Sequence, residues 1–192
     1  MSDLRIVKGT AIYDSDITVP TSPLTNVSGT GVLTLNNQND IYDIVGSYPQ
    51  GPLSDIGTGP TASNTQRKFS TSSSVYFAGS SGNYLYKDLG EAVGTRDWTI
   101  EAWVYPTGTA GSGVIQISPT SGTGLLGLGS SGSIGFGQQN GYWRVYTTGG
   151  WPVTGYLQSS TAVTINAWYH VCLLYTSPSP RDRTRSRMPS SA

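Results

Sequence analysis

Glu91 and Glu101 are the only glutamates in this 192-residue chain, and His170 is its only histidine. Cleavage of a glycosidic bond needs two carboxylates a few ångströms apart, one as acid and one as nucleophile or base. On an extended strand such a pair stands two or four residues apart, because alternate side chains face the same way. Thr99 and Trp103 occupy those places beside Glu101, so its own strand supplies no partner. An acid from elsewhere, Asp97 or Asp88, would have to complete the pair, and nothing in the sequence points to one. Glu101 therefore reads as a solvent-facing residue or a buried acceptor of hydrogen bonds. His170 as a general base would need an orienting partner and a nucleophile, and as a zinc ligand further nitrogen or sulfur donors. Neither is visible nearby, which leaves it a structural role. No catalytic residue and no metal ligand is assigned.

Aromatic residues offer more. The run "GYWRVYTTGGWPVTGY", 141–156, places Tyr142, Arg144 and Tyr146 on one side of a strand and Trp143 and Val145 on the other. Trp143 is assigned to the core. Trp151, beside Pro152 in a turn, is the candidate for an exposed ring, with Tyr142 and Tyr156 beside it as further ligand-binding candidates. Rings exposed next to polar groups suit a sugar or protein ligand, through apolar contact and a few hydrogen bonds.

The elements that must carry these residues are nearly all strands. "WTIEAWVYP" alternates Trp98, Ile100, Ala102 and Val104 against Thr99, Glu101, Trp103 and Tyr105 and reads as a central strand stopped by Pro106. Further strands are predicted at 4–13, 32–37, 74–79, 83–87, 113–118, 125–130, 133–138, 142–148, 153–159 and 168–171. Glycine-rich turns separate them, and Asn140-Gly141 is the sharpest hairpin signal. Residues 87–97 have room for one short helical turn. The fold class is all-β, an antiparallel β-sandwich or barrel.

The order of three segments resembles a known family. "SVYFAGSSGNYLY", then "DWTIEAWVYP", then "NAWYHV" is similar to the laminin-G-like, concanavalin-A-like jelly roll, over roughly Leu33 to Val171. The resemblance implies a sandwich at 26–171 that lacks its last strands. "DLRIVKGTAIYDSDITVPTSPLT" resembles the final strand and exit of such a domain, so residues 1–25 read as the end of a preceding unit. One alternative is that Leu4 to Tyr13 fills the place of the missing final strand. Relatives often hold calcium with an Asp-Gly and a following Asp. Here those places are Ala78-Gly79 and Asn83, which puts such a site in doubt, although Asp40, Asp43 and Asp55 could contribute oxygen ligands. No cofactor is assigned. Tandem units of this kind resemble parts of phage virion and tail proteins and of bacterial adhesins. The expectation is a noncatalytic adhesion or carbohydrate-binding module in a larger structural protein, on a virion or cell surface, with a host glycan or surface protein as partner. The alternative is a fragment of a glycan-active hydrolase.

The end of the chain breaks with everything before it. "CLLYTSPSPRD" and "SRMPSSA" resemble, in one frame, the translation of a transposase-type sequencing adapter, so 172–192 are read as a non-native, disordered tail, of which at most Cys172 to Tyr175 would be recruited as a strand because "VCLLY" is apolar. Of 11 basic and 11 acidic residues, Arg181, Arg183, Arg185, Arg187 and Asp182 fall there. The remainder, 7 basic against 10 acidic, has no electrostatic footprint for nucleic acid. Cys172, the single cysteine, lies in that tail as well, so no disulfide is expected. No stretch reaches the apolar length of a membrane span, and "MSDLRIVKGT" lacks the apolar core of a signal peptide. Sequencing the same locus from a library built with different adapters is expected to return an apolar strand after Val171. Recovery of "CLLYTSPSPRD" would overturn this reading.

Overall fold

The computed structural model describes residues 1–13, 16–35, 54–56, 60–79, 83–86, 96–109, 111–117, 134–147 and 156–176. Twelve strands run through them: β1 (Ser2–Lys8), β2 (Thr30–Thr34), β3 (Ser54–Ile56), β4 (Thr61–Ser63), β5 (Ser74–Tyr76), β6 (Tyr84–Tyr86), β7 (Trp98–Val104), β8 (Ser112–Ile117), β9 (Ile134–Gln139), β10 (Tyr142–Thr147), β11 (Tyr156–Ala162) and β12 (Tyr169–Tyr175). No helix occurs among the described residues. All pairings are antiparallel. One sheet has the order β12-β7-β1-β5-β4 with β2 also on β1, a second has the order β11-β10-β9-β8, and β3 pairs β6.

The two larger sheets close on one apolar core, as two half-apolar sheets must. From the first come Leu4, Ile6, Trp98, Ile100, Ala102, Val104, Tyr169, Val171, Leu173 and Tyr175; from the second, Ile134, Phe136, Trp143 and Val145. The period of two predicted for β7 is kept, and β12 repeats it in register: Val171 faces Ala102, Leu173 faces Ile100, and Tyr175 faces Trp98. Trp98 and Tyr175 stack at 5.7 Å. Trp143 lies in the core, stacked on Phe136 at 5.2 Å and edge-on to Tyr169 of the opposite sheet at 5.5 Å. Its ring joins the two layers.

Asn140 and Gly141 make the predicted hairpin between β9 and β10, both with positive φ, 52° and 78°, the conformation of a type I′ turn. Other expectations shift. The first strand ends at Lys8 rather than at 13, because Gly9 takes φ 82° and turns the chain off the sheet. β11 runs on to Ala162, and its polar end gave no alternation to read. The short β3 and β4 went unpredicted for the same reason. The predicted strand at 125–130 and the possible turn within 87–97 lie outside the described residues, apart from Arg96 and Asp97.

β1, from the stretch read in sequence as the end of a preceding unit, sits in the same sheet as β7, the place that the alternative gave to Leu4 to Tyr13. β1 pairs β7 on one side and β2 on the other. After Gly9 the chain crosses the outer face of that sheet: the Ile12 amide donates to Thr99 Oγ1 at 3.1 Å, and Leu24 is buried. It returns through a turn at Gly29, φ 84°, whose carbonyl accepts the Lys8 amide at 2.9 Å. A Cβ at Gly29 would stand 2.5 Å from the Lys8 carbonyl, so only glycine lets this turn lie against β1. β7 is consequently buried on both faces along all seven residues.

Ile100→Ala should cost about 2–5 kcal/mol of stability, because Ile100 is 1 % exposed at the centre of the core. Leu157→Ala, at an edge residue 75 % exposed, should stay within about 0.5 kcal/mol. Urea unfolding of both variants checks this, and equal losses would contradict the arrangement of the two sheets.

Candidate functional site

Two clusters of polar side chains stand out, one under the outer face of each sheet. The first centres on Glu101. Successive residues of β7 alternate faces, so Glu101 points away from the apolar core, toward the crossing segment. Arg5, opposite it on β1, donates Nε and Nη2 to Oε1 at 2.8 and 2.5 Å. The Tyr13 hydroxyl donates to Oε2 at 2.8 Å, and His170 Nε2 stands 3.0 Å from the same oxygen. A carboxylate only accepts, so Nε2 carries the ring proton there. Burial by itself would push the Glu101 carboxyl up. The hydrogen bonds from His170 and Arg5, the Arg5 charge and the Tyr13 hydroxyl outweigh it and hold the group below its usual range. Sequence reasoning left Glu101 and His170 without partners. The structure supplies each to the other, across 69 positions, and adds Arg5 from 96 positions away.

This cluster has the residue types of a catalytic site and the accessibility of a core. Glu101 is 0 % exposed, its four donors occupy both oxygens, and the His170 side chain is 3 % exposed. An acid–base group must reach the proton it moves. No substrate oxygen can approach here while the crossing segment is in place. Asp97 heads β7 and its carbonyl accepts the Gly9 amide at 2.7 Å; Asp88 lies outside the described residues. Cys172, the cross-strand partner of Glu101, is pushed up to about 12 by burial and by the Glu101 charge.

Asp3 is a second carboxyl close enough to feel Glu101, and sequence reasoning did not single it out. It is 0 % exposed and adopts φ 53°, which interrupts β1 and turns the side chain toward the crossing segment. Oδ1 accepts the Leu24 amide at 3.1 Å, whereas Oδ2 has no hydrogen-bond partner. Burial therefore dominates and raises this carboxyl to about 7, against the Leu24 hydrogen bond and the Arg5 charge that lower it. Asp3 and Arg5 together pin the far end of the segment at Leu24 and Thr25, since Arg5 Nη1 donates to the Thr25 carbonyl at 2.7 Å.

The second cluster lies on the outer face of the β8–β11 sheet and is partly open: Tyr156 and Gln158 are exposed, Tyr142 and Arg144 half-buried and Tyr146 buried. Trp143 and Val145 turn to the core, which leaves Tyr142, Arg144 and Tyr146 facing out. Across the β10–β11 pairing, Arg144 stands opposite Gln158, and Tyr146 opposite Tyr156. The Arg144 guanidinium lies 4.2 Å over the Tyr156 ring, which is 44 % exposed. Its Nε donates to Gln158 Oε1 at 2.8 Å and its Nη1 to Gln139 Oε1, which also accepts from the Tyr146 hydroxyl at 3.2 Å. The candidates Tyr142 and Tyr156 thus share one face; Trp151 lies outside the described residues. Of the positions weighed for calcium, Asp40 and Asp43 are likewise outside, and the Asp55 side chain is not described. Asn83 Oδ1 accepts the Ala78 amide at 3.0 Å and so closes its own loop. Among the described residues no three His, Cys, Asp or Glu side chains come together to hold a metal ion.

A profile of the concanavalin A-like lectin/glucanases superfamily, laminin G group, matches residues 64–182. The chain belongs to this superfamily. Neither curated proteins nor solved structures give a match to it. The matched span begins just after β4 and runs beyond β12, so the strands from β5 to β12 lie inside it while β1 to β4 lie before it. The superfamily covers lectins and glucanases alike, so it fixes the sandwich and leaves the choice between binding and cleavage to the site.

A raised carboxyl makes stability fall with rising pH. Asp3 binds its proton up to about pH 7 in the folded chain but only to 3.8 when exposed. Its contribution is therefore complete below about pH 4, declines as pH rises to about 7, and is constant above. Asp3→Asn keeps an acceptor for Leu24 and removes the charge. Its stability relative to the parent chain should climb between about pH 4 and pH 7 and then level off, as read by urea unfolding. Parallel profiles for the two proteins would refute the assignment. The depressed Glu101 acts in the opposite sense, losing stability as pH falls below its ordinary value of 4.5, and does so in both proteins.

Proposed function

We propose that the chain is a noncatalytic carbohydrate-binding module of a larger adhesion or virion structural protein, and that it binds through the outer face of the β8–β11 sheet. The observation that carries this reading is the exposed Tyr156 ring, held under Arg144 and flanked by Gln158. A sugar offers a C–H face and a rim of hydroxyls. A fixed aromatic ring matches the face and neighbouring amides match the rim. Tyr142 extends the same face at its hairpin end, beside Asn140 and Gly141. The carboxylate that a hydrolase would use is enclosed by four donors instead.

Single contacts of this kind are weak, and repetition of such units would raise the avidity without adding new contacts. Tyr156→Ala should weaken binding on a glycan array by about 1–2 kcal/mol, or roughly 5- to 30-fold. The thermal midpoint should hardly move, since the ring lies at an exposed edge. Unchanged binding by this variant would exclude the face. Release of reducing ends from any bound polysaccharide would instead favour the glycan-active hydrolase.

A further inference from the structure

We infer that this face selects an acidic sugar, with Arg144 as the residue that recognises its carboxylate or sulfate. The inference rests on the binding-module reading and goes beyond it in ligand chemistry. β8, β9, β10 and β11 contain one charged residue between them, and it is Arg144. The carboxylates whose side chains are described, Asp3, Asp16, Asp97 and Glu101, lie on the other sheet, at its rim or in the segment that crosses it. Arg144 therefore stands without a counter-ion among the described residues.

Its surroundings orient it without neutralising it. An arginine can only donate, so Gln139 and Gln158 must turn their oxygens to it, as they do. Each amide nitrogen is thereby directed away from the guanidinium. The two glutamine nitrogens and Arg144 Nη2 have no hydrogen-bond partner among the described residues. The glutamine oxygens are turned to Arg144, so the group left to a ligand is rich in N–H donors beside an aromatic ring, with tyrosine hydroxyls that donate or accept. Such a group prefers an acceptor-rich anion to a hydroxyl, which would bring its own proton, and hydrogen bonds to a charged group are the stronger kind. Stacking on Tyr156 and two fixed hydrogen bonds hold the planar fork in place before any ligand arrives, so little side-chain freedom is lost on binding.

The experiment compares matched polymers: polygalacturonate with its carboxyl-reduced form, and dextran sulfate with dextran, each titrated against the full chain. The acidic member of at least one pair should bind about tenfold tighter than its neutral counterpart, and which pair responds separates carboxylate from sulfate. Arg144→Gln should abolish that preference, so that the acidic and neutral members of each pair bind alike. Arg144→Lys, which keeps the charge but not the fork, should restore only part of it. Circular dichroism and the thermal midpoint establish that both variants fold, and Tyr156→Ala should reduce acidic and neutral binding together. Equal affinity for acidic and neutral members, or a preference untouched by Arg144→Gln, would overturn the acidic-sugar inference while leaving glycan binding standing. Failure of the folded chain to bind any of the four would overturn both.

Discussion

The interaction on which the rest of the structure depends is the one around the Glu101 carboxylate. A charge buried in the middle of a central strand is tolerable only when opposing charge and hydrogen bonds surround it. Here they arrive from three directions: Arg5 from β1, His170 from β12 and Tyr13 from the crossing segment. Each contributor lies far from Glu101 in sequence, so the cluster can form only when the two neighbouring strands are in register and the segment is laid over them. Removal of any partner would leave charge in a place water does not reach. That is a stronger constraint on register than apolar contact alone, which tolerates repacking.

The two sheets have divided their outer faces. The first is sealed: Leu24, Asp3, Thr99 and the Gly29 turn hold the crossing segment against it, and Lys68 and Phe69 cover Trp103 further along. Its polar groups look inward and serve the fold. The second leaves Tyr156 and Gln158 exposed on its outer face, with Arg144 and Tyr142 half-buried beside them and Tyr146 buried. Rigidity behind that face comes from Trp143, whose ring fills the core on the reverse side of the same strand.

Much of this was legible in the sequence, for a physical reason. Alternation is a local property, so Trp98, Ile100, Ala102 and Val104 announced a core strand, and Tyr142, Arg144 and Tyr146 announced a shared outer face. Asn140-Gly141 announced its turn because few other pairs adopt two positive φ angles cheaply. The Glu101 cluster was illegible because it is built across strands. Nothing local to Glu101 or His170 shows that the β7–β12 register sets His170 opposite Trp103, two residues along from Glu101 on the same face. Asp3 gave no signal either, since its burial comes from a segment whose own sequence, from Thr10 to Val27, has no period to betray that it lies flat on a sheet. The outer half of β11 failed for the opposite reason: a strand exposed on nearly every residue has no apolar face to mark it.

That same strand bears on how the molecule behaves in company. β11 runs seven residues along the rim of its sheet, bonded to β10 on one side and, among the described residues, to nothing on the other. Natural sheets usually blunt such a rim with lysine, proline or a bulge in the free edge. "YLQSSTA" has no charge and no proline; an irregularity in its register opposite Tyr142 to Arg144 disturbs one end, while the exposed Leu157 lies on the regular end. Protomers held close together, as on a particle or in concentrated solution, would meet rim to rim with backbone amides and carbonyls ready to pair. Crowding is then a condition that favours association of copies of this domain along β11.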